Sequence, residues 1–118
     1  ETSLKPQEFR ELLLLCGHPN LAANYDTGNS AALRYDCAEE LRTYGKWIRT
    51  VHIKDRRLHG STVPLGTGEA DFATFFHHLW QLGYQGPFTL QAAREGDEIQ
   101  TALKNKRFLE QYLGESSN

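Results

Sequence analysis

The chain has no methionine and only two cysteines, Cys16 and Cys37, whose spacing fits no metal-binding pattern and which are too few for a disulfide framework. Reduced thiols in a cytoplasmic protein are the expectation. It lacks the basic excess that phosphate-dominated nucleic-acid binding requires: 13 Lys and Arg stand against 15 Asp and Glu, a net charge of −2. No apolar run approaches the roughly 20 residues of a membrane span, and nothing at the start resembles a secretion signal. These absences predict neither a nucleic-acid nor a membrane partner. What is present is the composition of a globular protein, 118 residues that are 39% hydrophobic and 24% charged, read as a single domain over 1–118. The start at Glu1 without methionine predicts a fragment or a trimmed product.

Apolar periodicity divides the chain into alternating elements. Phe9, Leu12, Leu13 and Cys16 recur at helical spacing between Pro6 and Gly17. Leu21 to Tyr25 reads as a buried strand, with Asp26-Thr27-Gly28-Asn29 as the loop that follows. Asp36, with Glu39 three residues on, opens a second helix carrying Ala38, Leu41 and Tyr44 up to Gly45. Ile48 to Asp55 is β-branched and reads as a strand, and Arg56 to Gly68 as a loop. Phe72, Phe75, Phe76, Leu79 and Trp80 mark a third helix, Pro87 to Gln91 a third strand, and Asp97 through Leu113 a last helix.

Strands joined through helices must run parallel, so the pattern is one of consecutive βα units. An open doubly wound sheet normally shows a glycine-rich phosphate turn after its first strand, and no Gly-x-Gly-x-x-Gly occurs here. A (β/α)₈ barrel needs no such turn but takes about 250 residues, so four βα units amount to half of one. The fold class expected is α/β, with parallel units forming half of a TIM barrel.

Polar residues fall at or near the C-terminal ends of the strands: Asp26, His52, Gln91, and Glu1 if a strand ends there. In a barrel these ends converge on the face where active sites are built. Two carboxylates, an imidazole and an amide carbonyl suit a divalent ion: Mn²⁺ first, with Mg²⁺, Co²⁺ or Zn²⁺ as alternatives.

Three runs then carry a resemblance: Asn24-Tyr25-Asp26-Thr27-Gly28-Asn29, Val51-His52-Ile53-Lys54-Asp55-Arg56, and Val63 through Phe72 with its Gly66-Thr67-Gly68. In this order, and continuing through Gly83 to Gln91, they resemble the C-terminal half of the xylose-isomerase-like TIM barrels. That superfamily contains sugar and sugar-phosphate isomerases and epimerases, and also apurinic endonucleases. The resemblance implies carbohydrate metabolism, a sugar or sugar phosphate as the small-molecule partner, and one metal ion on Glu1, Asp26, His52 and Gln91. It also implies proton transfer at Glu1 and at the position of Gln91, through an enediolate. Gln91 departs from the family, which has a glutamate there; an amide cannot carry a proton, which favours isomerisation over two-base epimerisation.

Asn29, Asp55 and Arg56 are the expected substrate-binding residues, with a surface ion pair as the plain alternative for Asp55 and Arg56. Gly66 and Gly68 offer close backbone approach to substrate, or simply a turn. His59 has a lesser claim on the site; His77 and His78 are read as helix-surface residues and Glu95 as a loop acid. The alternative functions are a sugar-binding half barrel without catalysis and a metal-dependent hydrolase of the apurinic-endonuclease type. If the other half is absent in nature, a homodimer would close the barrel.

Overall fold

The computed structural model describes residues 2–114. Three short strands, β1 (Ala23–Asp26), β2 (Ile48–Ile53) and β5 (Phe88–Leu90), form one parallel sheet in the order β1-β2-β5. The connections between them pass through helices, as the alternation of periods requires. Before β1 lies α1 (Pro6–Cys16), between β1 and β2 lie α2 (Thr27–Ala32), α3 (Cys37–Tyr44) and a 3₁₀ turn (Gly45–Trp47), and before and after β5 lie α4 (Phe72–Gln81) and α5 (Glu98–Leu113). Among the described residues no helix is long and apolar enough to cross a membrane.

Local chemistry sets the helix ends. Pro6 opens α1 and Gly17 closes it at φ 51°, a left-handed conformation that glycine adopts without a Cβ penalty. Asp36, Asp71 and Asp97 cap α3, α4 and α5, their carboxylates accepting N–H groups of Ala38, of Thr74, and of Ile99 and Gln100.

The core lies between the sheet and the helices. Val51 and Ile53 point into it and are fully buried, as are Phe76 and Leu79 on the facing side of α4. Tyr25 stacks on Phe75 with ring centroids 5.0 Å apart, and Phe76 stacks on Tyr112 of α5 at 4.8 Å. Each such side chain contributes roughly 1.5–3 kcal/mol by leaving water.

Four expectations need correction. The segment after β1 is not a loop: Asp26 caps α2 by accepting the Asn29 N–H at 2.8 Å, so the polar run Thr27-Gly28-Asn29 starts a helix. The first strand begins at Ala23 rather than Leu21 and includes Asp26. The second stops at Ile53, and Asp55–Arg56 becomes a separate strand, β3. The stretch to Gly68 is not all loop, because β3 pairs antiparallel with β4 (Thr62–Val63) to form a small ribbon beyond the end of β2.

Candidate active site

Because side chains alternate along a strand, the face opposite the helices is set by the register. Asp26 on β1 stands beside His52 on β2, which stands beside Thr89 on β5. Asn24 and Thr50 share that face one step earlier, the Thr50 hydroxyl donating to Asn24 Oδ1 at 2.8 Å. The Gln91 N–H donates to the Ile53 carbonyl at 2.9 Å, which carries the ladder one residue past β5 and sets exposed Gln91 across from Lys54. Glu1 lies outside the described residues.

Two buried polar atoms on this face accept no hydrogen bond: Asp26 Oδ2 and His52 Nδ1. A buried carboxylate oxygen or imidazole nitrogen without a hydrogen bond is costly, since the hydrogen bonds it made to water are not replaced. Both are lone-pair donors, side by side on adjacent strands, and a divalent cation is a group that satisfies both. Asp26 and His52 therefore fit a metal ion as two of its ligands. No group of three or more His, Cys, Asp or Glu side chains suited to a metal occurs among the described residues.

Asp26 Oδ2 does have a charged neighbour. The Lys54 ammonium lies 3.3 Å away, close enough for ion pairing but without a directed hydrogen bond. Lys54 is held from behind: its N–H donates to Thr27 Oγ1 at 3.0 Å, and that hydroxyl donates to the Lys54 carbonyl at 2.6 Å. A Cβ on Gly28 would sit 2.7 Å from Lys54 Cγ, so glycine there makes room for the lysine stem.

Arg56 and Asn29 come together at the rim. One guanidinium nitrogen donates to Asn29 Oδ1 at 3.0 Å, while Nε and the other terminal nitrogen grip the Gly60 carbonyl at 2.9 and 2.7 Å. The guanidinium is thus fixed in orientation, with N–H groups to spare beyond these three bonds.

Asp55 is neither a substrate ligand nor half of a surface ion pair. It is 0% exposed, and its carboxylate accepts four backbone N–H groups, from Arg56 and Ala70 at 3.0 Å and from Gly66 and Gly68 at 2.9 Å. Gly66 and Gly68 accordingly bring the backbone close to Asp55 rather than to a substrate. The His59 N–H, at a left-handed φ of 52°, bonds the Ala32 carbonyl; Glu95 pairs with Lys104 at 3.4 Å; His77 and His78 sit on α4, His77 exposed. Cys16 and Cys37 are both free thiols.

Behind Asp26 lies a polar cluster absent from the sequence reading. Glu40 on α3 is buried and accepts from Tyr25 at 2.8 Å, from Tyr44 at 3.1 Å and from the Ser30 hydroxyl. Burial raises the Glu40 carboxyl above its ordinary value of 4.5, the three hydroxyls pull it back, and the Asp36 charge adds to the rise. An acid whose folded value is raised binds its proton more tightly folded than unfolded, so this group's contribution declines as pH climbs from about its unfolded value through its folded one. Across that window the wild type is expected to lose stability that Glu40→Gln does not lose. Denaturant midpoints of the two proteins, measured against pH, test this; parallel curves would refute it.

Sequence comparison agrees with this architecture. The model of the xylose isomerase-like TIM barrel family matches residues 2–112. Over 74 residues the chain is 36% identical to an L-ribulose-5-phosphate 3-epimerase of Salmonella paratyphi A, which covers 62% of this chain and 26% of that protein. An uncharacterised protein of Methanocaldococcus jannaschii is 26% identical over 113 residues, 93% of this chain and 37% of that one. The chain thus spans well under half the length of these curated relatives. Among solved structures, a xylose isomerase domain protein of Planctomyces limnophilus superposes with a TM-score of 0.78 at 26% identity, over 97% of this chain and 44% of that one. The D-allulose 3-epimerase of a Methylomonas species gives 0.76 at 25% identity, over 92% and 43%. With its parallel βα units matching under half of each barrel, this chain belongs to the xylose isomerase-like TIM-barrel family.

Proposed function

We propose that the chain supplies half of the active site of a metal-dependent isomerase or epimerase that acts on a sugar or sugar phosphate through an enediolate. The observation that carries this reading is the Asp26–His52 pair, each with a buried side-chain atom that makes no hydrogen bond, side by side at the C-terminal ends of adjacent parallel strands. Epimerases of sugars and sugar phosphates among the relatives support the reaction class. Asp26 and His52 would hold the ion, with Glu1 and Gln91 completing the set. The bound ion would polarise a substrate carbonyl and neutralise charge developing on its oxygens. Arg56, oriented by Gly60 and Asn29, would bind substrate hydroxyls or a phosphate, with Asn29 sharing them. Glu1 would carry the proton at the reacting carbon. The test is isomerisation and epimerisation of a panel of free and phosphorylated ketoses by the full-length protein, titrated with Mn²⁺. No turnover of any member at any Mn²⁺ concentration would sink the proposal.

Gln91 favours one alternative, sugar binding without turnover, because an amide cannot take a proton from carbon. The substitution Gln91→Glu adds a charge and a base at a residue whose backbone N–H is held by the Ile53 carbonyl. It is expected to tighten Mn²⁺ by about tenfold and to raise epimerisation relative to isomerisation. The readout is Mn²⁺ titration together with solvent deuterium at the reacting carbon. If the wild type already inverts that carbon as fast as the variant, Gln91 is not at the proton-transfer position.

A further inference from the structure

The Asp26 carboxylate is the most deeply buried charge on the polar face: its side chain is 1% exposed, and that of its neighbour Lys54 is 19% exposed. A carboxylate that deep requires a positive partner. Lys54 provides one at 3.3 Å, but the contact is not a directed hydrogen bond, so the Oδ2 lone pair stays unclaimed. The ammonium neutralises the oxygen's charge while leaving its coordinating electrons free.

This arrangement is built. The backbone of Lys54 is clamped on both sides by the Thr27 hydroxyl, and the stem lies in the space that Gly28 leaves open. Thr27 and Gly28 follow Asp26 directly, so three consecutive residues provide the carboxylate, the anchor of the lysine and the clearance for it. A second aligned position on the neighbouring strand, that of Gln91, carries no charge.

We infer that Lys54 is a resident cation that occupies the charge position of the metal when no ion is bound and is displaced from Asp26 when one binds. The inference rests on the metal reading above and adds a residue that acts on ion affinity without being a ligand. A divalent ion entering the site must break the Lys54–Asp26 pair and then tolerate a released ammonium nearby. Both effects weaken binding. The same displacement turns the ammonium loose at the mouth of the strands, on the side of Arg56.

The consequence is a pair of opposite effects from one substitution. Lys54→Met keeps the stem and removes the charge. Without metal, the variant leaves Asp26 buried beside an apolar group, and its melting temperature should fall below that of the wild type. Its affinity for Mn²⁺ should nevertheless rise, by about tenfold or more, because no charge has to be displaced and none repels the ion. A lysine that merely supports the fold predicts lower stability and weaker or unchanged ion binding together.

The experiment is isothermal titration of Mn²⁺ into the full-length wild type, Lys54→Met and His52→Ala, with melting temperatures taken with and without Mn²⁺. Tighter Mn²⁺ binding by Lys54→Met, together with a larger Mn²⁺-induced rise in its melting temperature, supports the inference. Lys54→Arg, which keeps a charge, should stay near the wild type and guards against a simple folding defect. If His52→Ala weakens Mn²⁺ binding but Lys54→Met leaves it unchanged or weaker, the metal reading stands and the inference fails. If none of the proteins binds Mn²⁺, the metal reading fails and the inference with it.

Discussion

Asp55→Ala is expected to destabilise the protein by about 3–5 kcal/mol, a large fraction of the stability of a domain this size. The carboxylate, itself fully buried, accepts the N–H groups of Arg56, Gly66, Gly68 and Ala70. Alanine would strand four backbone donors at once, and the segment from β3 to the start of α4 would lose the point on which it folds. Asp55→Asn should cost less, because its amide oxygen still accepts while the amide nitrogen faces donors. Urea denaturation of the two variants measures both. An alanine variant as stable as the wild type would mean that the four bonds do not organise this segment.

His52→Ala is expected to weaken Mn²⁺ binding by about 100-fold or more while leaving the fold intact. The second half of that expectation is specific to this site: His52 Nδ1 makes no hydrogen bond, so removing the ring breaks none there. The pairing of β2 with β1 and β5 runs through its backbone, which alanine retains. Metal content after dialysis, alongside the circular dichroism spectrum, is the measurement. Unchanged metal content in a folded variant would remove His52 from the ligand set.

Most of the fold was legible because it is written in periodicities. The apolar face of α4, with Phe72, Phe75, Phe76 and Leu79, is spaced for a helix and is buried as one. The parallel order of β1, β2 and β5 follows from the helices between them. What escaped depends on partners distant in sequence. Asp55 is expected from sequence at the substrate, or in a surface ion pair, because three of the four N–H groups it binds belong to residues 11 to 15 positions on, in a segment without periodicity. The helix α2 was hidden because Thr27-Gly28-Asn29 has the composition of a turn, and only the Asp26 cap reveals it. Glu40 is a charged residue four positions before Tyr44 on the buried side of α3, a signal visible in sequence but readable only once Tyr25 and Ser30 are known to meet it. Lys54 was within reach: two residues after His52, the period of the strand continues onto the same face.

The two faces of the sheet are also under two separate physical constraints. Tyr25, Val51 and Ile53 are locked against α4 and the rest of the core, and a change of volume there disturbs every neighbour. Asp26 and His52 alternate with them on β1 and β2, and Lys54 and Gln91 follow just past the ends of β2 and β5. A mutation at Gln91, exposed and opposite the core, leaves the aromatic layer untouched. A lineage built on this sheet can therefore exchange an acid for an amide at the strand end while the scaffold is inherited unchanged.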